Sequence, residues 1–247
     1  MAEWWTYSLP DFLLLSPRTY YRLIELYNAA VWPGQALAAA AGLAIAAMLW
    51  KPRPWQGRVV AVLLAACWLW IAWAYFLTHY ATINWAAPYV AAAFAGEALL
   101  LVLVGTLGRS SVPPDTRGAG HIGVGLYVFA LVVQPLIGPL AGRTWSQVEI
   151  FGIAPDPTAV ATLGLVLRAP VGHRWALLPI PVAWCAVSGA TAWAMGSPDA
   201  WVMPIAGVLA LLSASVPWWA LPPRRAVARS GTPVSRPADQ RGGPPAE

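Results

Sequence analysis

The sequence contains very little charge. Only 10% of its 247 residues are Asp, Glu, Lys or Arg, and 59% are hydrophobic. A soluble domain carries about 25% charged residues. A chain this apolar cannot cover its surface with polar groups in water, so its expected solvent is lipid. We therefore predict an all-α integral membrane protein.

Cysteine and lysine are also scarce. Cys67 and Cys185 both lie inside apolar runs, so no disulfide framework can be read, and we interpret both as small core side chains. Lys51 is the only lysine and does not lie in the last helix, which excludes the Schiff base of a retinal protein. None of the three histidines lies deep within an apolar run. No metal or other cofactor is predicted.

Catalytic sequence motifs are missing. The chain has no P-loop, no G-x-S-x-G, no H-E-x-x-H and no paired aspartates, so nucleotide-driven transport and standard hydrolase chemistry lack support. The net charge of +5 comes from basic residues at the ends of apolar runs and in the C-terminal tail. This distribution is typical of membrane proteins. It predicts no nucleic-acid partner.

The apolar runs predict a bundle of about seven transmembrane helices. Six runs reach the length of about 20 residues that a crossing needs, while a seventh of 12 residues would cover only about 18 Å of the roughly 30 Å of hydrocarbon. The six long runs are 29–50, 58–79, 85–108, 121–141, 175–195 and 199–219, and the short run is 157–168.

The distribution of basic residues favours seven crossings. If 157–168 crosses and the N-terminus is outside, 12 of the 15 basic residues lie on the cytoplasmic side. Without that crossing, the better orientation places ten inside and five outside. The positive-inside rule therefore predicts an outer N-terminus, an inner C-terminus and a location in the inner (plasma) membrane.

Both ends of the chain differ from the predicted bundle of residues 29–221. Residues 1–28 contain two helix starts, at Ser8 and at Ser16-Pro17, and an apolar stripe with helical spacing. We interpret them as interfacial helices, with a lid over a substrate path as the alternative. Residues 222–247 are rich in Pro, Gly and Arg. They are predicted to form a disordered basic cytoplasmic tail.

Glu97 is the main candidate for a functional side chain. It lies near the middle of the run 85–108 and is the only acidic residue deep within a predicted span. Acids at that depth are costly and usually face the bundle interior. Glu97 either handles a proton or cation, or is an uncharged acid hydrogen-bonded to another helix. Gln134, at similar depth and followed by Pro135, is a possible partner.

The segment 143–168 is the second unusual region. Pro155, Asp156 and Pro157 interrupt its apolar sequence. Asp156 is predicted to cap the short helix that follows, with Pro157 in its first turn. The interruption is typical of the broken helices that form transporter binding sites. The alternative is a periplasmic loop with an ordinary capped helix.

Four blocks of the sequence resemble a family of bacterial multipass membrane proteins, domain of unknown function 6064. The blocks read WWTYSLPDFLLLSPRTYYRLIELYN, TINWAAPYVAAAF, PLIGPLAGRTWSQVEIFGIAPDPTAVATLGLVL and LLPIPVAWCAVSGATAW. The resemblance implies no established activity and no catalytic residues. Its members are sometimes labelled permeases of the major facilitator type, but such transporters have twelve spans in two halves, more than this chain provides.

Two functions from different classes remain open. A transporter or channel for a small solute or ion would use the intramembrane polar residues Glu97, Gln134 and Asp156. A structural or accessory subunit would pack against another membrane protein or a second copy of the chain. A membrane-embedded enzyme is the least favoured class, because catalytic motifs are missing. In all three cases the lipid bilayer is the first partner.

Overall fold

The computed structural model describes residues 16–50, 53, 55–107 and 118–216, and within these ranges every regular element is helical. The all-α prediction is confirmed there. The predicted helix start at Ser8 and the predicted tail 222–247 lie outside the described residues.

The described elements form one bundle of ten α-helices with interspersed π-helical and 3-10 segments. The α-helices are α1 Pro17–Ala30, α2 Gly34–Trp50, α3 Gln56–Trp70, α4 Ala87–Val102, α5 Gly118–Val128, α6 Gln134–Leu140, α7 Pro155–Val166, α8 Val171–Leu177, α9 Pro179–Ala194 and α10 Val202–Ser215. The π-helical segments are Ile71–His79, Leu103–Leu107 and Phe129–Val133, and the 3-10 segments are Tyr80–Thr82 and Trp145–Gln147.

Three continuous helices are long and apolar enough to cross a membrane: Gln56–Thr82, Ala87–Gly105 and Gly118–Leu140. Two bent pairs, α1 with α2 and α8 with α9, raise the count to five if each pair is one span, and α10 is a shorter apolar helix. The described residues thus contain three to five candidate spans.

Helix α1 begins where the sequence predicts. The Ser16 side chain accepts a hydrogen bond of 3.3 Å from the backbone N–H of Thr19, and Pro17 occupies the first turn. The predicted stripe buries Leu23, Ile24 and Tyr27 against the bundle. The axis of α1 makes an angle of 87° with that of α2, so α1 lies across the end of the bundle.

Helix α7 lies at the centre of the bundle. Eleven of its 12 residues are buried, because it packs against α3, α5, α9 and α10 on different sides. Its closest neighbour is α5. A Cβ on Gly123 would overlap the carbonyl oxygen of Gly164, and a Cβ on Gly164 would overlap that of Gly123. Glycine at both positions lets the two backbones touch.

Several chain reversals gather at one end of the bundle. We call it the polar end and define it by the connections 80–86, 141–154 and 195–201. Helix α6 ends there and α7 begins there, while α9 ends and α10 begins at the same level. Helix α7 therefore carries the chain away from the polar end, and α8 and α9 bring it back.

Candidate functional site

A cavity of about 160 Å³ opens at the polar end. A cavity of about 150 Å³ in another protein holds benzene, so this one has room for a small solute. Its lining residues come from α1, α4, α6, α7, α9 and α10, from the connections that follow α6 and α9, and from the end of the long helix that begins with α3 together with the connection after it. Its charged lining residues are Arg143, Glu149, Asp156 and Asp199.

Asp156 fastens the start of α7 to α9. Its Oδ1 accepts a hydrogen bond of 2.8 Å from the indole N–H of Trp184, and its Oδ2 accepts one of 2.6 Å from the hydroxyl of Ser188. Both carboxylate oxygens are thus used within the protein. The location of Asp156 in the first turn of α7 is also favourable for a negative charge.

The prediction that Asp156 caps α7 is wrong. The capping position is Ala154, which makes no side-chain capping bond. Thr158 contributes instead, because its hydroxyl accepts a hydrogen bond of 2.8 Å from the N–H of Gly152 and donates one of 2.7 Å to the carbonyl of Ala154. Gly152 has a φ of +85°, which favours glycine.

Arg143 forms an ion pair with Asp199 across the polar end. It also donates a hydrogen bond of 3.1 Å to the hydroxyl of Tyr21, which hydrogen-bonds Ser197 at 3.0 Å. Ser197 in turn donates to Asp199. Burial alone would lower the pKa of Arg143, but the neighbouring Asp199 carboxylate raises it, and the net pKa is raised. This network binds Asp199 and the two terminal nitrogens of Arg143 within the protein.

Among the carboxyl groups that line the cavity, Glu149 has an oxygen that accepts no hydrogen bond from the described residues. Its Oε1 is buried and has no hydrogen-bond partner among the described residues. The pKa of Glu149 is raised to about 8, chiefly by burial; the nearby Asp156 contributes in the same direction, whereas Arg143 opposes the shift. In the folded protein without a bound cation, Glu149 is therefore mostly protonated near neutral pH.

Gln134 provides a second unused acceptor in the same cavity. Its Nε2 lies 3.5 Å from the sulfur of Met203, and its Oε1 is buried with no partner in the part of the chain that the structure describes. The Nε of Arg143 is also buried and unpartnered, although it lies beside Gly138 of α6. Three of the six buried unpartnered polar atoms in the described part of the chain thus belong to residues of this cavity.

Aromatic side chains form much of the remaining wall. Tyr20, Tyr75, Tyr80 and Trp184 all line the cavity. The rings of Tyr75 and Tyr80 stack with centroids 5.8 Å apart, and Tyr20 meets Tyr80 edge to face at 6.4 Å. Such rings offer an electron-rich surface to a positively charged group.

Glu97 lies elsewhere. It is fully buried in α4 and does not line the cavity. Neither carboxyl oxygen has a hydrogen-bond partner within the described residues. Gln134 is therefore not its partner, and the expected hydrogen bond from Glu97 to another helix is not observed there. Of the three predicted site residues, the structure brings Gln134 and Asp156 into one cavity and leaves Glu97 outside it.

The model of the family DUF6064, described as a family of unknown function, matches residues 18–217. The chain belongs to DUF6064. The match includes every charged residue of the cavity. The family description gives no support to a permease label. No curated protein and no solved structure matches this DUF6064 chain.

Sequence reasoning missed three cavity residues of this DUF6064 protein. Arg143 and Glu149 lie between apolar runs and Asp199 lies at the very start of one, where charged residues are ordinary. The available signal was the close spacing of Glu149 to the Pro155–Pro157 interruption. The ion pair between Arg143 and Asp199 joins positions 56 residues apart, and no local pattern predicts it.

Proposed function

We propose that this protein is a membrane transporter for a small solute and that the solute binds in the cavity at the polar end. The observation that carries the proposal is the pair of buried, unpartnered acceptors, Gln134 Oε1 and Glu149 Oε1, in a cavity of solute size. Leaving a buried polar group unsatisfied costs about 1–3 kcal/mol. A solute that donates hydrogen bonds there would recover this cost.

The architecture around the cavity supports the same proposal. Helix α7 is short, starts at the cavity and is surrounded by other helices. The irregular segment before it places polar groups inside an otherwise apolar bundle. Transporters use interrupted helices in this way, because irregular backbone is tolerated at membrane depth where it lines a cavity.

The proposed topology has seven crossings of the inner (plasma) membrane, with the N-terminus outside and the C-terminus in the cytoplasm. The crossings are α2, the α3 helix, α4, α5 with α6, α7, α8 with α9, and α10. Two observations support this topology. The distribution of basic residues favours it, and α7 by itself takes the chain from the polar end to the opposite end, from which α8 and α9 bring it back. In this topology the cavity faces the outside.

Reporter fusions test the topology. A reporter active only in the cytoplasm, fused after Ala228, should give signal. A reporter active only in the periplasm, fused before Trp4, should also give signal. The opposite pattern at either site contradicts the seven-crossing topology.

A panel of small solutes tests the transport function. Tetramethylammonium, tert-butanol and pivalate have similar shapes and carry positive, zero and negative charge. We expect at least one to raise the apparent Tm of the purified protein and to enter proteoliposomes that contain it faster than it enters protein-free liposomes. Ala192→Trp, which fills the cavity, should abolish both effects, whereas Ala190→Trp on the exposed face of α9 should not.

The accessory-subunit alternative makes a different prediction. A packing subunit needs no solute, so no member of the panel would bind or enter, and loss of the protein would lower the amount of a second membrane protein. That combination of results would replace the transport proposal.

A further inference from the structure

We propose that the cavity selects a small organic monocation, that Glu149 is its counterion, and that the cation enters in exchange for a proton. The inference rests on the proposed function, because it names the class of solute that the same cavity binds.

The assignment to Glu149 follows from how the three carboxyl groups are used. Asp156 has one oxygen bonded to Trp184 and the other to Ser188. Asp199 is paired with Arg143. Glu149 is the remaining carboxyl group of the described lining, and its Oε1 is buried, unpartnered and part of the cavity wall.

The charge balance of the cavity favours a cation. The described lining contains three acidic side chains and one basic side chain, Arg143. Asp199 and the Tyr21 hydroxyl bind both terminal nitrogens of Arg143, which leaves only its Nε unpartnered within the described residues. The ion pair balances the charge of Arg143 and leaves the other two carboxyl groups of the described lining without a basic partner, which disfavours an anionic solute. A cation would find the carboxylate of Glu149, and a hydrogen-bond donor on it could also reach the unpartnered Oε1 of Gln134.

The surroundings favour an organic cation over a metal ion. Within the described ranges, no group of three or more His, Cys, Asp or Glu side chains is arranged to hold a metal. Hard metal ions need six to eight oxygen ligands at short distance. The aromatic rings of Tyr20, Tyr75, Tyr80 and Trp184 instead suit an alkylammonium group, whose charge is spread over an apolar surface.

Exchange for a proton follows from the surroundings of Glu149. Tyr20 of α1, Tyr75 of the π-helical segment, Asp156 of α7 and the Arg143–Asp199 pair are the ionisable groups that interact with it. Burial and Asp156 hold a proton on Glu149 near neutral pH, with a pKa of about 8. When a cation binds, the carboxyl O–H bond breaks, the proton passes to water, and the carboxylate pairs with the cation. The charge of the site is thereby conserved.

Tetramethylammonium tests the inference, because its own charge does not depend on pH. The full-length protein in lipid nanodiscs should bind it at least tenfold more tightly than tert-butanol or pivalate. Its affinity should rise about tenfold per pH unit from pH 6 to pH 7.5 and level off above pH 8. This measurement on the unmodified protein needs no folded variant.

Glu149→Gln should weaken tetramethylammonium binding at least tenfold and remove the pH dependence, whereas Glu25→Gln should change neither, because the half-buried Glu25 pairs with Arg22 on α1 and does not line the cavity. Size-exclusion and thermal unfolding profiles show whether Glu149→Gln is folded. If tert-butanol or pivalate binds and tetramethylammonium does not, the cation inference fails while the proposed function stands. Binding of tetramethylammonium that is independent of pH overturns the proton exchange. If no solute binds or enters proteoliposomes, both proposals fail.

Discussion

The indole nitrogen of Trp184 lies 2.8 Å from Oδ1 of Asp156 and donates a hydrogen bond to it. Together with the bond from Ser188, this contact joins the first turn of α7 to the middle of α9. The contact is made by a carboxylate that sequence reasoning assigned to a local cap. Its structural role can be separated from solute binding by substitution.

Asp156→Asn should be mild and Asp156→Leu severe. Asparagine can accept from Trp184 with its oxygen and donate to Ser188 with its amide, whereas leucine leaves both donors unsatisfied. We expect Asp156→Leu to cost about 2–6 kcal/mol of stability, since each of the two unsatisfied donors costs about 1–3 kcal/mol. Thermal unfolding in detergent measures the difference. Equal Tm values for the two variants would show that neither hydrogen bond contributes to stability.

Gly123→Ala and Gly164→Ala should both destabilise the bundle strongly. Each new Cβ would meet the backbone of the opposite helix, which cannot move aside as a flexible side chain could. Overpacking of this kind costs about 1–3 kcal/mol. Gly125→Ala is the matched control in the same helix, because a Cβ there has nothing within 4 Å. The yield of folded protein and its Tm should fall for the first two variants and stay near wild type for the third.

Glu97→Leu should raise stability or leave it unchanged. Both oxygens of Glu97 are buried and have no partner among the described residues, so leucine removes an uncompensated polar group and adds apolar contacts. Glu97→Gln keeps a polar group at the same place and should gain nothing. A clear loss of Tm for Glu97→Leu, rescued by Glu97→Gln, would indicate that Glu97 has a hydrogen-bond partner after all.

The stability of the protein should depend on pH through Glu149. Its pKa is about 8 in the folded protein, against an ordinary value of 4.5. Below the ordinary value both folded and unfolded states hold the proton. As pH rises from 4.5 to about 8, the unfolded state loses the proton first, so folding stability decreases, and above about 8 the loss is complete.

Thermal unfolding between pH 5 and pH 8.5, without organic cations, checks this expectation. The Tm of wild type relative to Glu149→Gln should fall across the window, while wild type and Glu25→Gln should give parallel curves. All other ionisable groups are the same in wild type and Glu149→Gln, so their contributions cancel in that comparison. A constant difference between wild type and Glu149→Gln would contradict the raised pKa.

The helical class and the start of α1 could be predicted because they depend on local features. Apolar runs of this length indicate helices that are surrounded by lipid. Ser16 and Pro17 form a helix N-terminus whose hydrogen bond is made to Thr19, only three residues away. The role of Asp156 could not be predicted in the same way. Its partners lie 28 and 32 residues further along the chain, and their contacts depend on how α7 packs against α9.

The position of Glu97 within its apolar run predicted its burial correctly but did not predict its hydrogen-bond partner. The sequence locates Glu97 deep in an apolar run, and the structure buries it fully. The expected partner, Gln134, instead faces a cavity formed by several helices and their connections. The cavity itself arises where those separate segments meet, so its use of Glu149 is visible only in three dimensions.

The burial of α7 has a consequence for how the protein is made. With 12 residues it is about 18 Å long and too short to span a bilayer alone. Its neighbours α9 and α10 are synthesised after it. During translation α7 therefore lacks part of its final surroundings, and its position depends on segments that have yet to leave the ribosome. The cavity can be complete only after α9 has brought Trp184 and Ser188 to Asp156 and α10 has added its own part of the wall.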